Sequence, residues 1–333
     1  MKFLEHYGLF LLNTATLSAA ILIVAAGIIA LLNRNKQQDE LLTIKKLNEK
    51  YEDLSNELNA VILNKKVFKQ LKQTAKKDKK VNSESQKQKT YVLYFAGDMS
   101  ASAVENLREE ISALLTVAQP KDEVVIVLES GGGIVTGYGL AASQLQRIRD
   151  KKLHLTVCID QMAASGGYLM ACVAHQILAA PFAIVGSIGV LVQQPNFHRL
   201  LKKYNIDYEM LTSGEYKRTL SLLGENTEKG RQKCLEEVEE VHNAFKQHIA
   251  SYRPQINIEQ IGTGEHWLAR KALELQLIDG LMTSDDYLMQ RCKESDVFEL
   301  KLEKKKTLAD KLPKIFSNGI KGLLESHIQS PLH

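Results

Sequence analysis

The residue whose position best suits nucleophilic chemistry is Ser165, in the segment Met162–Tyr168 with the sequence MAASGGY. The run LHLTVCID shortly before it predicts a buried strand, and the apolar residues after it predict a helix, so Ser165 would stand at a helix start. Free backbone N–H groups and the positive end of the helix dipole stabilise an alkoxide or an oxyanion at such a position. Serine at a helix start is also a common cap. The local pattern therefore leaves both roles open.

A serine nucleophile needs a base, which is usually a histidine oriented by a carboxylate. The segment lacks the G-x-S-x-G pattern of the α/β-hydrolases. His175 follows Ser165 by ten residues on what should be the same helix, about 15 Å at 1.5 Å per residue, which is too far for direct contact. Lysine can serve as the base where burial leaves its amine neutral near pH 7. Lys217 lies 52 residues after Ser165 in the sequence SGEYK, but this context alone does not select it among the lysines.

The elements around these residues alternate between strand and helix patterns. Short apolar runs (YVLYFAG, EVVIVLES, LHLTVCID, QILAAP) predict strands, and the segments between them (ASAVENLREEISALLTVA, GYGLAASQLQRIRD, AASGGYLMACVAH) predict helices. This order predicts an α/β fold with a largely parallel sheet covered by helices. Ligands in such folds sit beyond the carboxyl ends of the strands, where the loops ESGGG and DQMAASGG occur.

The run Gly131–Gly133 in the first of these loops has two interpretations. It suits a phosphate cradle or a plain tight turn, since glycine adopts backbone angles that other residues avoid. No Gly-Lys-Ser/Thr follows it, and no G-x-G-x-x-G follows any of the predicted strands. The sequence therefore excludes the commonest nucleotide-binding motifs.

The amino-terminal segment Gly8–Leu32 contains 25 consecutive uncharged residues. As a helix it would cross a hydrocarbon core of about 30 Å. The run is longer than the apolar part of a signal peptide, about 7–15 residues, and no Ala-x-Ala site precedes a polar start. We therefore predict that residues 1–32 form an uncleaved anchor in membrane lipid.

Residues 33–90 contain 15 Lys/Arg against 8 Asp/Glu, although the whole chain has a net charge of only +4. Because this basic stretch is poor in aromatic residues and is not a folded module, it does not predict nucleic-acid binding. We interpret it as a spacer, helical in part from Leu41 to Lys72 and disordered beyond, which can touch anionic head groups. A main domain at 91–300 and a basic amphipathic tail at 301–333 complete the predicted organisation. The tail suits either a membrane surface or an ordinary surface helix.

The four cysteines are widely spaced, with no C-x-x-C pair and no histidine at a metal-site interval. The sequence therefore predicts neither a metal site nor a cofactor.

Five segments in order resemble the signal peptide peptidase A family of serine peptidases: ESGGGIVTGYG, MAASGGYLMACVA, PFAIVGSIGV, TSGEYKRT and GEHWLARKALELQLIDGL. The resemblance covers residues 91–282. It implies a ClpP/crotonase-type spiral fold, hydrolysis of peptide bonds in peptide or protein substrates, a homo-oligomer, and residence in a bacterial inner membrane.

Carried over residue by residue, the family's Ala-Ser-Gly-Gly serine falls on Ser165 and its Ser-Gly-x-Tyr-Lys lysine falls on Lys217. These would be the nucleophile and the general base of a Ser/Lys dyad. The oxyanion donors would be the backbone N–H groups of Gly166 and of the glycine turn, at Gly133 or Gly132.

Two further positions qualify this resemblance. Ser187, in the sequence GSIG, would orient the lysine amine or simply belong to a turn. Gly131 stands where the family usually has proline, and glycine does not fix the backbone as proline does.

Two rival functions remain open on the same fold. A crotonase-like acyl-CoA enzyme would use the glycine-turn amides for a thioester enolate, and an inactive scaffold would organise membrane partners. The side of the membrane also has two interpretations. Positive residues after the span favour the cytoplasm, whereas analogy with envelope peptidases favours the periplasm.

Overall fold

The structure of the protein, a computed structural model, describes residues 40–82 and 88–304 together with residues 6, 8, 10, 12–18 and 20. Residues 43–301 form one compact unit, and the remaining described residues belong to a second. Most of the predicted span Gly8–Leu32 and nearly all of the predicted tail lie outside the described residues. Within the described ranges, no helix combines the length and the apolar character that crossing a membrane requires.

The strands of the described chain, in order, are β1 (Glu40–Lys46), β2 (Lys89–Gly97), β3 (Glu123–Ser130), β4 (His154–Ile159), β5 (Met162–Ala164), β6 (Gln176–Ala179), β7 (Ile184–Gly186), β8 (His266–Leu268), β9 (Gly280–Leu281) and β10 (Asp296–Lys304). The helices are α1 (Leu47–Ile62), α2 (Lys65–Asn82), α3 (Val104–Val117), α4 (Val135–Asp150), α5 (Gly166–Ala171), α6 (His198–Lys203), α7 (Glu228–Tyr252), α8 (Ile258–Ile261), α9 (Ala269–Glu274) and α10 (Ser284–Glu294).

The strands join in one mostly parallel sheet with the order β1-β10-β2-β3-β4-β6-β9. A short extension carries β5 between β3 and β7, and β8 pairs with β7 in the antiparallel sense. Strand β3 is buried along most of its length because helices cover the sheet, which explains its continuous apolar sequence. The predicted α/β fold with a mostly parallel sheet is thus confirmed.

One predicted helix is shorter than its apolar pattern suggested. In the segment AASGGYLMACVAH the first residues belong to strand β5, and the helix, α5, extends only over Gly166–Ala171. His175 therefore lies beyond the helix, where its Nδ1 accepts a hydrogen bond from the Leu155 N–H at 3.0 Å. The pattern could not show this boundary, because a buried strand and a buried helix have similar composition.

Part of the stretch that we interpreted as a spacer packs into the core of the main unit. Leu47 is 2% exposed and belongs to a cluster with apolar residues of β2, β3, β4 and β10. The Asn48 side chain donates to the Cys292 and Ser295 carbonyls and accepts from the Val297 N–H, each at 2.8–2.9 Å. Helix α1 is therefore docked on the domain, whereas the domain boundaries themselves stay predictions.

The Lys-rich residues beyond Lys72 are helical and not disordered as far as Asn82, where α2 ends. Lysine, glutamine and alanine are good helix formers, so the local sequence favours a helix here. Residues 83–87 lie outside the described ranges.

Replacing Leu47 by alanine should lower the free energy of unfolding by about 2–5 kcal/mol, because it leaves a cavity in the core cluster. Thermal or denaturant unfolding of the full chain measures this. Leu58, on the same helix but 64% exposed, is the matched control, and its alanine variant should change stability by no more than about 0.5 kcal/mol. Equal effects of the two substitutions would show that α1 is not docked.

Candidate active site

Two of the loops singled out by the sequence meet at the carboxyl ends of β3 and β5. The two strands pair in parallel with Ser130 opposite Ala163, so each strand delivers its loop to the same edge of the sheet. The Ser165 N–H donates to the Gly186 carbonyl at 2.8 Å, and this bond holds the junction between β5 and α5 against β7. The backbone ladder therefore fixes the glycine turn beside Ser165.

Ser165 adopts a backbone conformation that is strained for a residue with a side chain. Its φ is 51° and its ψ is −118°, and such values cost on the order of 1–3 kcal/mol. The side chain makes no capping hydrogen bond to α5, and it is half-buried. Strained residues of this kind cluster at active sites. Of the two roles left open by the sequence, capping is thus not the one observed.

The glycine turn approaches Ser165 so closely that only glycine fits at Gly132. This residue has φ of 85°, and a Cβ added there would lie 2.7 Å from the Ser165 Cβ and 2.6 Å from the Gly166 nitrogen. Gly166 is crowded from its other side, because a Cβ there would lie 2.4 Å from Cγ of Tyr138. The first turn of α5 and the glycine turn thus form one tightly packed constellation.

The three predicted oxyanion donors are not equivalent. The Gly132 N–H donates to the Ser130 Oγ at 3.0 Å, so it is engaged in holding the turn. The hydrogen bonds of the described chain include none from the N–H of Gly133 or of Gly166. These two groups are the donors that a substrate oxygen can use.

A buried polar network that the sequence did not indicate fixes the turn from behind. The Ser130 and Tyr138 hydroxyls lie 2.5 Å apart, and Tyr138 donates to the Asp98 carbonyl at 2.7 Å. Burial raises the pKa of Tyr138, so the phenol stays protonated and keeps its donor role. The only sequence signal was tyrosine and serine flanking the glycines, which does not identify a contact.

A cavity of about 820 Å³ opens at this constellation. Ser165, the glycines of the turn and Ser187 line it together with apolar side chains, among them Met99, Val135, Leu169, Leu191 and Phe245. A cleft with apolar walls and a few polar groups is typical of a ligand-binding site.

The other two predicted residues differ in their placement. Ser187 lines the cavity with φ of 54°, and its N–H donates to the Glu265 carbonyl at 2.6 Å. Lys217 is exposed between α6 and α7 and is not among the residues that line the cavity. Its N–H donates to the Gly214 carbonyl at 3.2 Å. The described chain therefore assembles Ser165, the glycine turn and Ser187, but not Lys217.

Two histidines of α7, His242 and His248, line the same cavity and were not singled out by the sequence. His242 Nε2 lies 3.2 Å from the Ile188 carbonyl. Burial lowers the pKa of His248, and its Nε2 is buried without a hydrogen-bond partner in the described chain. Their position makes them rivals of Lys217 as a base, whereas His175 does not line the cavity. Within the described ranges, no cluster of histidine, cysteine or acidic residues could hold a metal ion.

Two family models match nearly the whole chain: "Peptidase family S49 N-terminal" over residues 2–145 and "Peptidase family S49" over residues 147–297. The chain belongs to peptidase family S49. The resemblance inferred from the ordered motifs is thereby confirmed, and the protein is a peptidase of the serine type that acts on peptide or protein substrates.

Relatives with known sequences extend over most of the chain. A protein of Haemophilus influenzae called "Probable protease SohB" is 47% identical, with 92% of this chain and 91% of the relative covered. One of the same name from Buchnera aphidicola subsp. Schlechtendalia chinensis is 45% identical, with 87% and 100% covered. A solved structure, a membrane-bound stomatin-specific protease, matches with a TM-score of 0.42 and 15% identity over 62% of this chain and 86% of its own. A likeness this low carries no conclusion about the present chain.

Proposed function

We propose that the protein is a membrane-anchored serine endopeptidase in which Ser165 is the nucleophile and Lys217 is the general base. The observation that carries this proposal is the strained, non-capping Ser165 at the start of α5, in contact with a glycine turn and open to a mainly apolar cavity. Each of these features suits acyl transfer. We further propose that the α/β fold of this chain is of the ClpP/crotonase-like spiral type.

In the proposed reaction, the Lys217 amine accepts the Ser165 proton while Oγ attacks the peptide carbonyl. The N–H groups of Gly133 and Gly166 stabilise the oxyanion of the tetrahedral intermediate. Gly132 positions them through its bond to Ser130. The intermediate collapses with proton transfer to the leaving amine, and water then hydrolyses the acyl-enzyme with the same lysine as base.

Lys217 must be brought to the cavity for this chemistry. We propose that a homo-oligomer does so, in which the segment between α6 and α7 of one copy covers the cavity of a neighbouring copy and brings its Lys217 to that copy's Ser165. Several apolar side chains of this segment are exposed, including Tyr204 at 65% and Leu211 at 96%. Such side chains suit an interface between protein chains better than a surface in water. Ser187, at the cavity, would orient the incoming amine.

The remaining parts of the proposal concern location. Residues 1–32 would anchor the protein in a bacterial inner membrane, 33–90 would connect the anchor to a peptidase domain at 91–300, and 301–333 would form a basic tail. The basic residues after the span favour a cytoplasmic domain, and analogy with envelope peptidases favours a periplasmic one. A topology reporter fused after His333 decides between them.

Incubation of the purified full chain with an unstructured peptide tests the proposed activity. We expect internal cleavage with new amino termini for the wild type and none for Ser165→Ala, while both variants melt at the same temperature. An acyl-CoA panel run in parallel should show no turnover. Thioester turnover without peptide cleavage would favour the crotonase-like alternative, and absence of both activities would favour the scaffold.

A further inference from the structure

Helix α2 presents a strongly basic surface. Its 18 residues, KKVFKQLKQTAKKDKKVN, include eight lysines and one acidic residue. Four of these lysines lie in the part whose side chains are described, and all four are exposed: Lys65, Lys66, Lys69 and Lys72. The start of the helix is capped by Asn64, whose Oδ1 accepts a hydrogen bond from the Val67 N–H at 3.0 Å.

The opposite side of α2 is apolar and exposed. At about 100° per residue, Val67, Phe68 and Leu71 share one face. Lys65, Lys66 and Lys69 occupy the other side, and Lys72 lies at the edge beside Phe68. Val67 is 43% exposed and Leu71 is 45% exposed. Phe68 is half-buried, with the Lys72 ammonium 4.8 Å from its ring centre. We call this combination of Val67, Phe68 and Leu71 with the four flanking lysines the α2 face.

Two further apolar side chains are exposed at the end of α1, just before α2 begins. Val61 is 87% exposed and Ile62 is 73% exposed, and α2 begins only a few residues later. By contrast the other end of α1 is buried through Leu47. Helix α1 is therefore attached to the domain at its start and exposes apolar side chains at its end.

We propose that the α2 face binds the surface of an anionic lipid bilayer. A helix with lysines on one side and exposed aliphatic and aromatic side chains on the other lies in the membrane interface, its apolar side buried about 5–10 Å and its ammonium groups at the head groups. A nucleic acid would use the lysines but would leave Val61, Val67 and Leu71 in water. A lipid surface satisfies both halves of the face. This contact is separate from the predicted span at Gly8–Leu32 and orients the domain on the membrane.

Hydrogen exchange on the full chain reconstituted in vesicles tests this proposal. The comparison is between pure phosphatidylcholine and a mixture of two-thirds phosphatidylcholine with one-third phosphatidylglycerol. Since each lysine at an anionic surface contributes about a fivefold gain in binding, we expect residues 65–73 to exchange at least about tenfold more slowly in the anionic vesicles. Raising the salt to about 1 M, where the Debye length is about 3 Å, should remove the difference. Any anchoring by residues 8–32 is common to both kinds of vesicle and does not produce a difference in exchange between them.

Two variants test the basic part and the apolar part of the α2 face separately. Changing Lys65, Lys66, Lys69 and Lys72 together to glutamine should abolish the slow exchange, and so should Val67→Ser with Leu71→Ser. The control changes the exposed lysines Lys121, Lys151, Lys203 and Lys293 to glutamine and should keep it. All variants should hydrolyse a soluble peptide like the wild type, which shows that the domain is folded. Equal exchange of α2 in both vesicles, or protection by RNA and not by vesicles, would overturn the proposal.

Discussion

Lys217→Ala should abolish peptide hydrolysis as completely as Ser165→Ala. A base that activates a nucleophile contributes about 10²–10⁴-fold to the rate, and members of one catalytic unit fail together and not additively. Lys217→Arg should not restore activity, because a guanidinium stays protonated. Initial rates of peptide cleavage measure the effect, and circular dichroism verifies that each variant is folded. Lys217 is exposed, so its replacement should leave stability unchanged.

The histidines provide the contrast for this prediction. His242→Gln and His248→Gln alter the cavity lining and should reduce the rate far less than Lys217→Ala, whereas His175→Ala should leave it intact. If the His242 or the His248 variant were inactive while Lys217→Ala kept substantial activity, the base would have to be reassigned to that histidine of α7.

Mixing inactive variants tests where the base comes from. Ser165→Ala and Lys217→Ala protein, each silent alone, should regain part of the activity when they are co-assembled, because some sites then combine an intact serine with an intact lysine of the neighbouring copy. Light scattering should show an oligomer under the same conditions. Activity from a strictly monomeric preparation would mean that the segment between α6 and α7 rearranges within one chain.

Gly132→Ala should reduce the rate by about 10²-fold or more, the loss typical of a damaged oxyanion site. The new methyl group would lie 2.7 Å from the Ser165 Cβ and 2.6 Å from the Gly166 nitrogen, at a φ of 85° that alanine avoids. The turn must therefore shift and carry the Gly133 N–H with it. The loss should fall mainly on kcat, since the apolar side chains that line the cavity are unchanged.

Gly131→Ala is the matched control within the same turn. A Cβ at Gly131 would meet only the Met162 Sδ, at 3.5 Å, which is ordinary van der Waals contact. We expect this variant to lose little activity. Equal losses for the two alanine variants would indicate that the turn tolerates no change at all, and that the close approach of Gly132 to Ser165 is not the cause.

The sequence predicted those parts of the fold whose signal is local. Strand β3 matches its apolar run because a central parallel strand is buried on both faces. Helix α4 matches its amphipathic segment because one side of the helix is buried. The length of α5 was overestimated at its start, because the first residues of the segment belong to β5 and Ser165 has a non-helical backbone.

What the sequence could not supply were contacts between distant segments. Leu47 follows two lysines in a stretch that also contains the exposed Leu41 and Ile44, and its burial depends on the pairing of β1 and β10 beside it. The bond from Tyr138 to the Asp98 carbonyl joins residues 40 positions apart. The cavity histidines of α7 are also far from Ser165 in the sequence. Lys217 was selected by family resemblance alone, and its exposed position leaves its role a prediction.

A fluorophosphonate probe followed by peptide mapping tests the central claim most directly, because such probes react only with a serine that is activated as a nucleophile. In the assembled full chain we expect one adduct, on Ser165, with labelling abolished by Lys217→Ala and retained by His175→Ala. Labelling of another serine, or undiminished labelling of Ser165 in the Lys217→Ala variant, would contradict the Ser/Lys assignment.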